Sequence, residues 1–248
     1  LASGIPPRGG KPVYGVYSTF VQRTYDQLQQ DLCINNNPIT ILTFAASVWG
    51  MNDVTHLGIY DIPMMSNIPN LVYLAPTTYE EYIAMLDWST EQREHPVAIR
   101  VPGAVIHGEK PTKDYGILNK YETVQKGSGA AIIALGTFFG MGKQAAELIE
   151  KKTGVKPTLI DPVYITGIDE ELLESLKKNH KAVVTLEDGI LDGGFGEKIA
   201  RFYGDSDMRT VNFGLKKEFL DRYDANEVLR QNGITPEQIA DRAAELIK

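Results

Sequence analysis

The amino-acid sequence predicts an α/β protein of two domains, a domain built on a parallel sheet followed by a smaller α/β domain. Short apolar runs rich in β-branched residues alternate with helical patterns along the chain, which is typical of parallel α/β layers. Between positions 102 and 126 the sequence is rich in Gly, Lys, Pro and Tyr and weakly periodic, which indicates a connection between domains. A chain of 248 residues is long enough for two domains of ordinary size.

The first half alternates predicted strands and helices around one long polar loop. Strands are predicted at 12–17, 39–44, 71–75 and 97–101. The run ITILTF at 39–44 is continuously apolar, as expected of a strand covered on both faces. A helix is predicted at 19–35, because apolar or aromatic residues recur on one face, and another at 80–88, after the capping residues Thr77 and Thr78. The stretch 51–65 reads as the polar loop.

The second half restarts the same alternation. Strands are predicted at 130–135, 158–160, 182–186 and 209–212, and helices at 143–153, 169–178, 196–203 and 235–247. Pro236 suits the first turn of the last helix, where its missing N–H costs nothing. The glycine-rich stretch 136–142 matches neither G-x-G-x-x-G nor a Walker A pattern, so a plain βα turn is favoured over an anion site. The stretches 187–189 and 193–196 are predicted to form a flexible loop.

Composition narrows the class of function. The chain has 25 basic and 32 acidic residues and a net charge of −7, which argues against binding nucleic acid or an anionic membrane. No apolar run reaches the roughly 18 residues that span a bilayer, so no membrane association is expected. Cys33 is the only cysteine, which excludes a disulfide framework and a Cys-based zinc site. We therefore predict a cytoplasmic, acidic protein. Because the sequence opens with Leu1 and not with Met, we also expect it to be part of a longer polypeptide.

His56 is the histidine best placed for chemistry. It lies in a polar loop that follows the buried strand at 39–44, and ligands of open α/β sheets bind beyond the carboxyl ends of strands. The alternative, in which His56 is a hydrogen-bonded residue of an ordinary turn, stays open on these grounds.

The junction between the first strand and the first helix concentrates aromatic and cationic groups. Tyr17, Phe20 and Arg23 are suited to stacking against a heteroaromatic ring and holding a polar substrate. Ser18 and Thr19 are ordinary N-cap residues, and a packed helix start explains the same composition. Both interpretations remain open at this point.

Taken together, these segments resemble the transketolase family of thiamine-diphosphate enzymes, and within it the 1-deoxy-D-xylulose-5-phosphate synthases. The resemblance covers nearly the whole chain in order. It is carried by KPVYGVYSTF (11–20), QR (22–23), YDQ (25–27), THLG (55–58), IPN (68–70), AP (75–76), AIR (98–100), TLEDG (185–189), GGFG (193–196), FGL (213–215) and LRQNGITP (229–236). It implies a transketolase-like pyrimidine-binding domain at 1–118 and a transketolase C-terminal domain at 119–248.

The resemblance also implies roles for individual residues. Phe20 would stack on the aminopyrimidine ring of the cofactor, with Arg23 beside it, and Tyr17 would face the substrate. His56 would stand near the reacting carbonyl, and Arg100 would hold the phosphate of the acceptor. The family's aspartate before the Thr-His pair aligns with Asn52, and Asp53 is adjacent. No metal ligand is implied in this chain.

Three departures from the family bear on these implications. The activating glutamate would lie just before Leu1, and the N-terminal domain that binds diphosphate and Mg²⁺ is not in this sequence. An Asp-Arg pair expected after the second strand is replaced by Ala45 and its neighbours, which puts the use of glyceraldehyde 3-phosphate in doubt. Thiamine diphosphate and Mg²⁺ would thus both need the missing N-terminal domain as a partner. A homodimer is expected as well.

The implied activity is decarboxylation of pyruvate followed by joining of the remaining two carbons to an aldehyde such as glyceraldehyde 3-phosphate. The product of that reaction is a precursor for isoprenoids and thiamine. Two alternatives stay open: a transketolase-like enzyme with other substrates, and a non-catalytic subunit that keeps the fold. A dinucleotide-binding dehydrogenase ranks behind them, because the sequence contains no G-x-G-x-x-G.

Overall fold

The computed structural model describes residues 1–48, 53–101 and 105–247. It confirms two α/β domains, each organised around its own sheet: a four-stranded sheet in the first and a five-stranded sheet in the second. The second domain is therefore not the smaller of the two in strand number. The division at 118/119 stays a prediction.

The sheet of the first domain is entirely parallel, with strand order β1-β2-β4-β3. Its strands are β1 (Val13–Tyr17), β2 (Thr40–Phe44), β3 (Val72–Leu74) and β4 (Val97–Arg100), close to the predicted ranges. In the register, Tyr17 pairs with Phe44 and Thr43 pairs with Arg100. The ends of β1, β2 and β4 therefore lie side by side at one edge of the sheet.

The helices of the first domain follow these strand ends. The predicted helix after β1 is a run of short helical segments: α1 (Ser18–Val21), a 3₁₀ turn (Gln22–Thr24), α2 (Tyr25–Gln27) and a π-helical turn (Leu28–Cys33). The predicted polar loop instead holds a 3₁₀ turn (Val54–His56) and α3 (Asp61–Met65). Helix α4 (Tyr79–Glu91) is capped as predicted, because Thr78 Oγ1 accepts a hydrogen bond from the Glu81 N–H at 3.1 Å.

The sheet of the second domain is mixed, with strand order β5-β7-β6-β8-β9. Its strands are β5 (Glu122–Gln125), β6 (Gly129–Ala134), β7 (Thr158–Asp161), β8 (His180–Ile190) and β9 (Arg209–Leu215). Among the described strands of this sheet, β5, at the edge, is the one that runs antiparallel to its neighbour. The end of the predicted interdomain connection is thus a strand, and β8 extends through the stretch 187–189 that was expected to be a loop.

The helices of the second domain are α5 (Phe139–Thr153), α6 (Glu170–Leu176), α7 (Phe195–Tyr203), α8 (Ala225–Gln231) and α9 (Pro236–Ile247), with a 3₁₀ turn (Gly136–Phe138) before α5. All but α8 were predicted. Two further 3₁₀ turns, Ala2–Gly4 and Pro6–Arg8, precede β1.

The two domains share a hydrophobic core. One cluster of buried side chains includes Ile62 and Tyr73 of the first domain and Ile160 and Phe195 of the second. Backbone hydrogen bonds join β3 to the segment after β7: the N–H of residue 75 donates to residue 163, and the N–H of residue 165 donates to residue 73, at 2.9 and 2.7 Å. Burial of these apolar side chains stabilises the interface between the domains, because it removes apolar area from water. Within the described ranges, no helix is long and apolar enough to cross a membrane.

Candidate active site

Phe20 is the centre of an aromatic cluster at the edge where β1 and β2 end. Its half-buried ring meets the Tyr17 ring edge-on at 6.2 Å between centroids, and the His56 ring edge-on at 5.2 Å. The guanidinium carbon of Arg23 lies 5.6 Å from the Phe20 centroid, within the range of a cation–π contact. The structure therefore brings together four of the residues that the sequence singled out.

The turn that carries His56 is held by its own polar side chains. Asp53 Oδ1 accepts hydrogen bonds from the Thr55 N–H and the Thr55 hydroxyl, at 2.7 and 2.6 Å. These hydrogen bonds from Thr55 lower the pKa of Asp53, with a smaller contribution from His56, so Asp53 is ionised near neutral pH. The carboxylate thus caps the 3₁₀ turn and fixes the Thr55 hydroxyl.

The same hydrogen bonds select one tautomer of His56. Its Nδ1 lies 2.9 Å from the Thr55 hydroxyl oxygen and 3.8 Å from Asp53 Oδ1. Because the Thr55 hydroxyl donates its single hydrogen to Asp53, it can only accept from His56, so Nδ1 carries the proton. The lone pair of the neutral imidazole is then on Nε2, which can accept a hydrogen bond or a proton from a substrate. Asn52, the other predicted residue of this turn, lies outside the described residues.

The backbone beneath this turn is strained. Ala45 and Ser47, just after β2, have positive φ angles of 52° and 99°, which residues with a Cβ rarely adopt. The Ser47 N–H donates to the carbonyl of Gly58 at 2.7 Å, and a Cβ on Gly58 would come within 1.9 Å of the Ala45 carbonyl oxygen. Close approach of the two segments therefore requires glycine at position 58. Strain of this kind is concentrated at functional sites.

Arg100 is buried and surrounded by carboxylates from both domains. Its Nε and Nη2 donate to the two oxygens of Asp61 at 2.8 and 3.1 Å, Nη1 pairs with Asp188, and Nη2 reaches the Gly58 carbonyl at 3.4 Å. Burial alone would lower the pKa of Arg100, but the charges of Asp188 and Asp61 outweigh it and raise that pKa well above its ordinary value. Arg100 thus joins the two domains through a buried ion cluster.

The cluster extends beyond its three charges. The Tyr73 hydroxyl donates to Asp61, and the Thr137 hydroxyl donates to Asp188 Oδ2 at 2.7 Å. A cavity of about 10 Å³, room for about one water molecule, is lined by Arg100, Asp188 and Thr137 together with Ala46, Ala75, Pro76, Val101 and Gly136. Neither Asp61 nor Asp188 was predicted from the sequence as a partner of Arg100. The expected contact of Arg100 with a substrate phosphate stays a prediction, and most of its N–H groups are engaged by protein oxygens.

Glu187, next to Asp188 in β8, is also buried. Its carboxylate accepts hydrogen bonds from the N–H groups of Phe195 and Gly196, both at 2.7 Å, and so caps α7. Burial raises the pKa of Glu187 to about 7, although those N–H donors oppose the shift. Burial also lowers the pKa of nearby Lys198 to about 8. The stretch 187–189, predicted as part of a flexible loop, is therefore a buried strand end that anchors a helix. A turn at 191–194 does lead into α7.

The raised pKa of Glu187 predicts a pH dependence of stability. The folded-state pKa of about 7 exceeds the ordinary value of 4.5, so the folded protein favours the protonated form of Glu187. The contribution of Glu187 to the free energy of unfolding is therefore complete below about pH 4.5 and is lost as the pH rises through 7. The loss amounts to roughly 3 kcal/mol at most, at about 1.4 kcal/mol per pKa unit. Unfolding free energies measured between pH 4.5 and 8 should show a flatter curve for Glu187→Gln than for the wild type.

The matched control is Glu197→Gln, which makes the same chemical change at an exposed carboxylate that accepts from the Gly193 N–H. It should leave the shape of the pH curve unchanged. Parallel curves for the wild type and Glu187→Gln would show that Glu187 ionises normally in the folded protein.

Among the described residues, no group of three or more His, Cys, Asp or Glu side chains is arranged to hold a metal ion. The groups gathered around Phe20 suit an organic ring instead. They comprise an aromatic face, a guanidinium beside it and an imidazole at its edge.

Comparison with known proteins matches both halves of the chain to family models. Residues 1–105 match the transketolase pyrimidine-binding domain, and residues 119–239 match the transketolase C-terminal domain. Curated relatives of the whole chain are 1-deoxy-D-xylulose-5-phosphate synthases from Clostridium perfringens SM101 (35% identity), Clostridium tetani (33%) and Shouchella clausii (32%). The chain is covered completely in each case and spans about 40% of the length of these relatives.

Solved structures share the fold. A split-gene transketolase, in an inactive tetrameric form described as beta4, superposes with a TM-score of 0.85 at 22% identity, over 100% of this chain and 80% of that one. A transketolase from Pichia stipitis gives a TM-score of 0.76 at 19% identity, over 96% of this chain and 34% of that one. At these identities the likeness establishes the arrangement of two α/β domains, which agrees with the sequence prediction.

Proposed function

Because this chain belongs to the transketolase family, we propose that it provides the pyrimidine-binding and C-terminal domains of a thiamine-diphosphate-dependent transferase of the 1-deoxy-D-xylulose-5-phosphate synthase type. The reaction would decarboxylate a keto acid, pyruvate, and join the remaining two carbons to an aldehyde such as glyceraldehyde 3-phosphate. The observation that carries the proposal is the cluster in which His56 and Arg23 flank the ring of Phe20.

The cluster fits the aminopyrimidine half of thiamine diphosphate. A flat, nitrogen-containing ring gains both apolar burial and offset stacking from an aromatic side chain. Phe20 supplies that side chain while remaining half-buried, so it is partly accessible. When bound, thiamine diphosphate would supply the carbanion chemistry that no amino-acid side chain provides.

The residues of this chain would bind and orient the cofactor ring and exchange protons with the substrate. Phe20 would set the plane of the cofactor ring, and Arg23 would cover the edge of the site. His56 would accept a proton or hydrogen bond at Nε2 from a hydroxyl group at the reacting centre, because Thr55 engages its Nδ1. Tyr17, which is 46% exposed and contacts Phe20, would present its hydroxyl to the substrate.

The remaining parts of the site would come from partners. The curated relatives are about two and a half times as long as this chain, and we propose that a diphosphate-binding domain holding Mg²⁺ completes the site. A homodimer is proposed as well, and exposed apolar residues of the first domain, among them Val13, Tyr14 and Ile34, are consistent with a covered face. The cytoplasmic location expected from the composition also stays a prediction.

A transketolase-like enzyme with another acceptor is the second candidate. The observation that favours it is at the end of β2, where Ala45 and Ala46 stand in place of a charged pair. Ala46 lines the small cavity beside Arg100. Removing one bidentate cation from a phosphate site costs a few kcal/mol of binding. Comparing glyceraldehyde 3-phosphate with unphosphorylated aldehydes as acceptors would separate the two candidates.

If another domain holds the diphosphate and Mg²⁺, the 248-residue chain alone should bind thiamine diphosphate weakly. We expect a dissociation constant above about 100 μM, equivalent to a binding free energy of less than roughly 5.5 kcal/mol. The physical reason is that ring stacking contributes only about 0.5–1.5 kcal/mol beyond burial, while the diphosphate and its metal ion would be held elsewhere. Calorimetry with thiamine diphosphate and Mg²⁺ measures this directly.

The complementary measurement mixes this chain with the diphosphate-binding portion that accompanies it and follows release of CO₂ from pyruvate. Turnover should require both polypeptides, with Phe20→Ala as the control that removes the stacking ring. Micromolar, Mg²⁺-dependent binding by the isolated chain would contradict the proposal that another domain holds the diphosphate and Mg²⁺. A mixture that binds cofactor but releases no CO₂ would favour the non-catalytic alternative.

A further inference from the structure

The loop between β9 and α8 reaches from the second domain to the turn that carries His56. Asp221 Oδ1 accepts a hydrogen bond from the Val54 N–H at 3.3 Å. The Tyr60 hydroxyl donates to the Glu218 carbonyl at 2.6 Å, and the Phe219 ring lies 6.1 Å from the Tyr60 ring. These residues lie more than 150 positions apart in the sequence, so the contacts are a product of domain packing alone.

The anchors lie on both sides of His56. Val54 precedes it by two residues, and Tyr60 follows it by four. The backbone between them is attached to the second domain at one further point, because the Ile190 N–H at the end of β8 donates to the carbonyl of Ile59 at 3.0 Å. Three points along 54–60 are therefore fastened to the second domain, while the first domain holds Leu57 through the Thr19 hydroxyl at 3.2 Å.

The Asp221 contact acts on a backbone group that the turn itself cannot satisfy. Val54 is the first residue of the 3₁₀ turn, and the first N–H groups of a helical turn have no partner within it. Asp53 engages the N–H of Thr55 and leaves that of Val54. Asp221 supplies the second acceptor, and its negative charge at the start of the turn is favourable.

We propose that the β9–α8 loop forms part of the active site, with Asp221 as a positioning residue that fixes His56 through the Val54 N–H. The proposal rests on the role given to His56 in the proposed function. It makes the second domain a contributor to the geometry of catalysis and not only to stability. Asp221 is exposed, so its replacement leaves the buried cores of both domains intact.

The test compares Asp221→Ala with Asp221→Asn. Asparagine keeps an oxygen that can accept from Val54, whereas alanine removes it. Hydrogen exchange of the amides of 54–56 in the isolated chain should be at least tenfold faster in Asp221→Ala and within threefold of the wild type in Asp221→Asn. Asp192→Ala is the control, because this exposed carboxylate pairs with Lys217 of the same loop at 2.7 Å without contacting the turn.

In the assembled enzyme, Asp221→Ala should lower kcat about tenfold with KM nearly unchanged, and Asp221→Asn should restore it. Unchanged exchange at 54–56 in Asp221→Ala, or a kcat for Asp221→Ala equal to that of the wild type, would overturn the proposal. If instead the role proposed for His56 is wrong, the His56→Ala enzyme should turn over like the wild type. The exchange measurement on the isolated chain would still show whether Asp221 holds the Val54 N–H.

Discussion

Replacing Arg100 by alanine should destabilise the isolated chain by about 3–5 kcal/mol, the usual result of removing one partner from a buried ion pair. Arg100 is 5% exposed, and its guanidinium lies between Asp61 and Asp188, which are 1% and 0% exposed. Without it, two carboxylates would face each other across the domain interface with no cation. Thermal unfolding should then begin at least 6 °C lower, because each kcal/mol shifts the midpoint by roughly 2–4 °C in a chain of this size.

Arg230→Ala provides the matched control, since it removes an exposed arginine whose guanidinium pairs with Glu227 at 2.6 Å on one helix. Exposed pairs of this kind contribute about 0–1 kcal/mol. An Arg100→Ala variant as stable as Arg230→Ala would show that the buried cluster contributes little. Such a result would favour a guanidinium reserved for substrate, as the family resemblance implies.

Most of the fold could be predicted because its signals are local. The four strands of the first sheet are short apolar runs, and the capping threonine before α4 is visible in the sequence. The errors have a common physical origin. Strand β5 carries an alternating exposed pattern without an apolar run, and the end of β8 contains charged residues that a single-sequence analysis assigns to a loop. Burial of Glu187 and Asp188 depends on partners that only the folded chain brings near.

The same distinction applies to the site. Tyr17, Phe20 and Arg23 lie within seven positions of one another at a strand end, so their clustering follows from the topology of a parallel sheet. His56 joins them because the loop after β2 opens at the same edge. The contacts of Arg100 with Asp188 could not be predicted, because they cross 88 positions and depend on how two domains pack.

In the assembled enzyme, Phe20→Ala and His56→Ala should impair different properties, cofactor binding in the first variant and turnover in the second. His56→Ala should lower turnover by about 10²–10⁴ with cofactor affinity nearly intact, because a proton transfer or hydrogen bond at Nε2 is made mainly in the transition state. Phe20→Ala should weaken cofactor binding about tenfold, because stacking is already present in the resting complex.

Cofactor dissociation constants and turnover, measured for both variants, separate these effects. His107→Ala is the control for loss of an imidazole, since His107 is exposed and pairs with Glu80 away from the Phe20 cluster. If His56 is an ordinary turn residue, its replacement should change stability by about 1 kcal/mol and leave the rate unchanged. Wild-type turnover in His56→Ala would therefore remove this imidazole from the chemistry. Phe20 and its contacts would then remain as a binding surface for the cofactor ring, whose contribution is read from the dissociation constant alone.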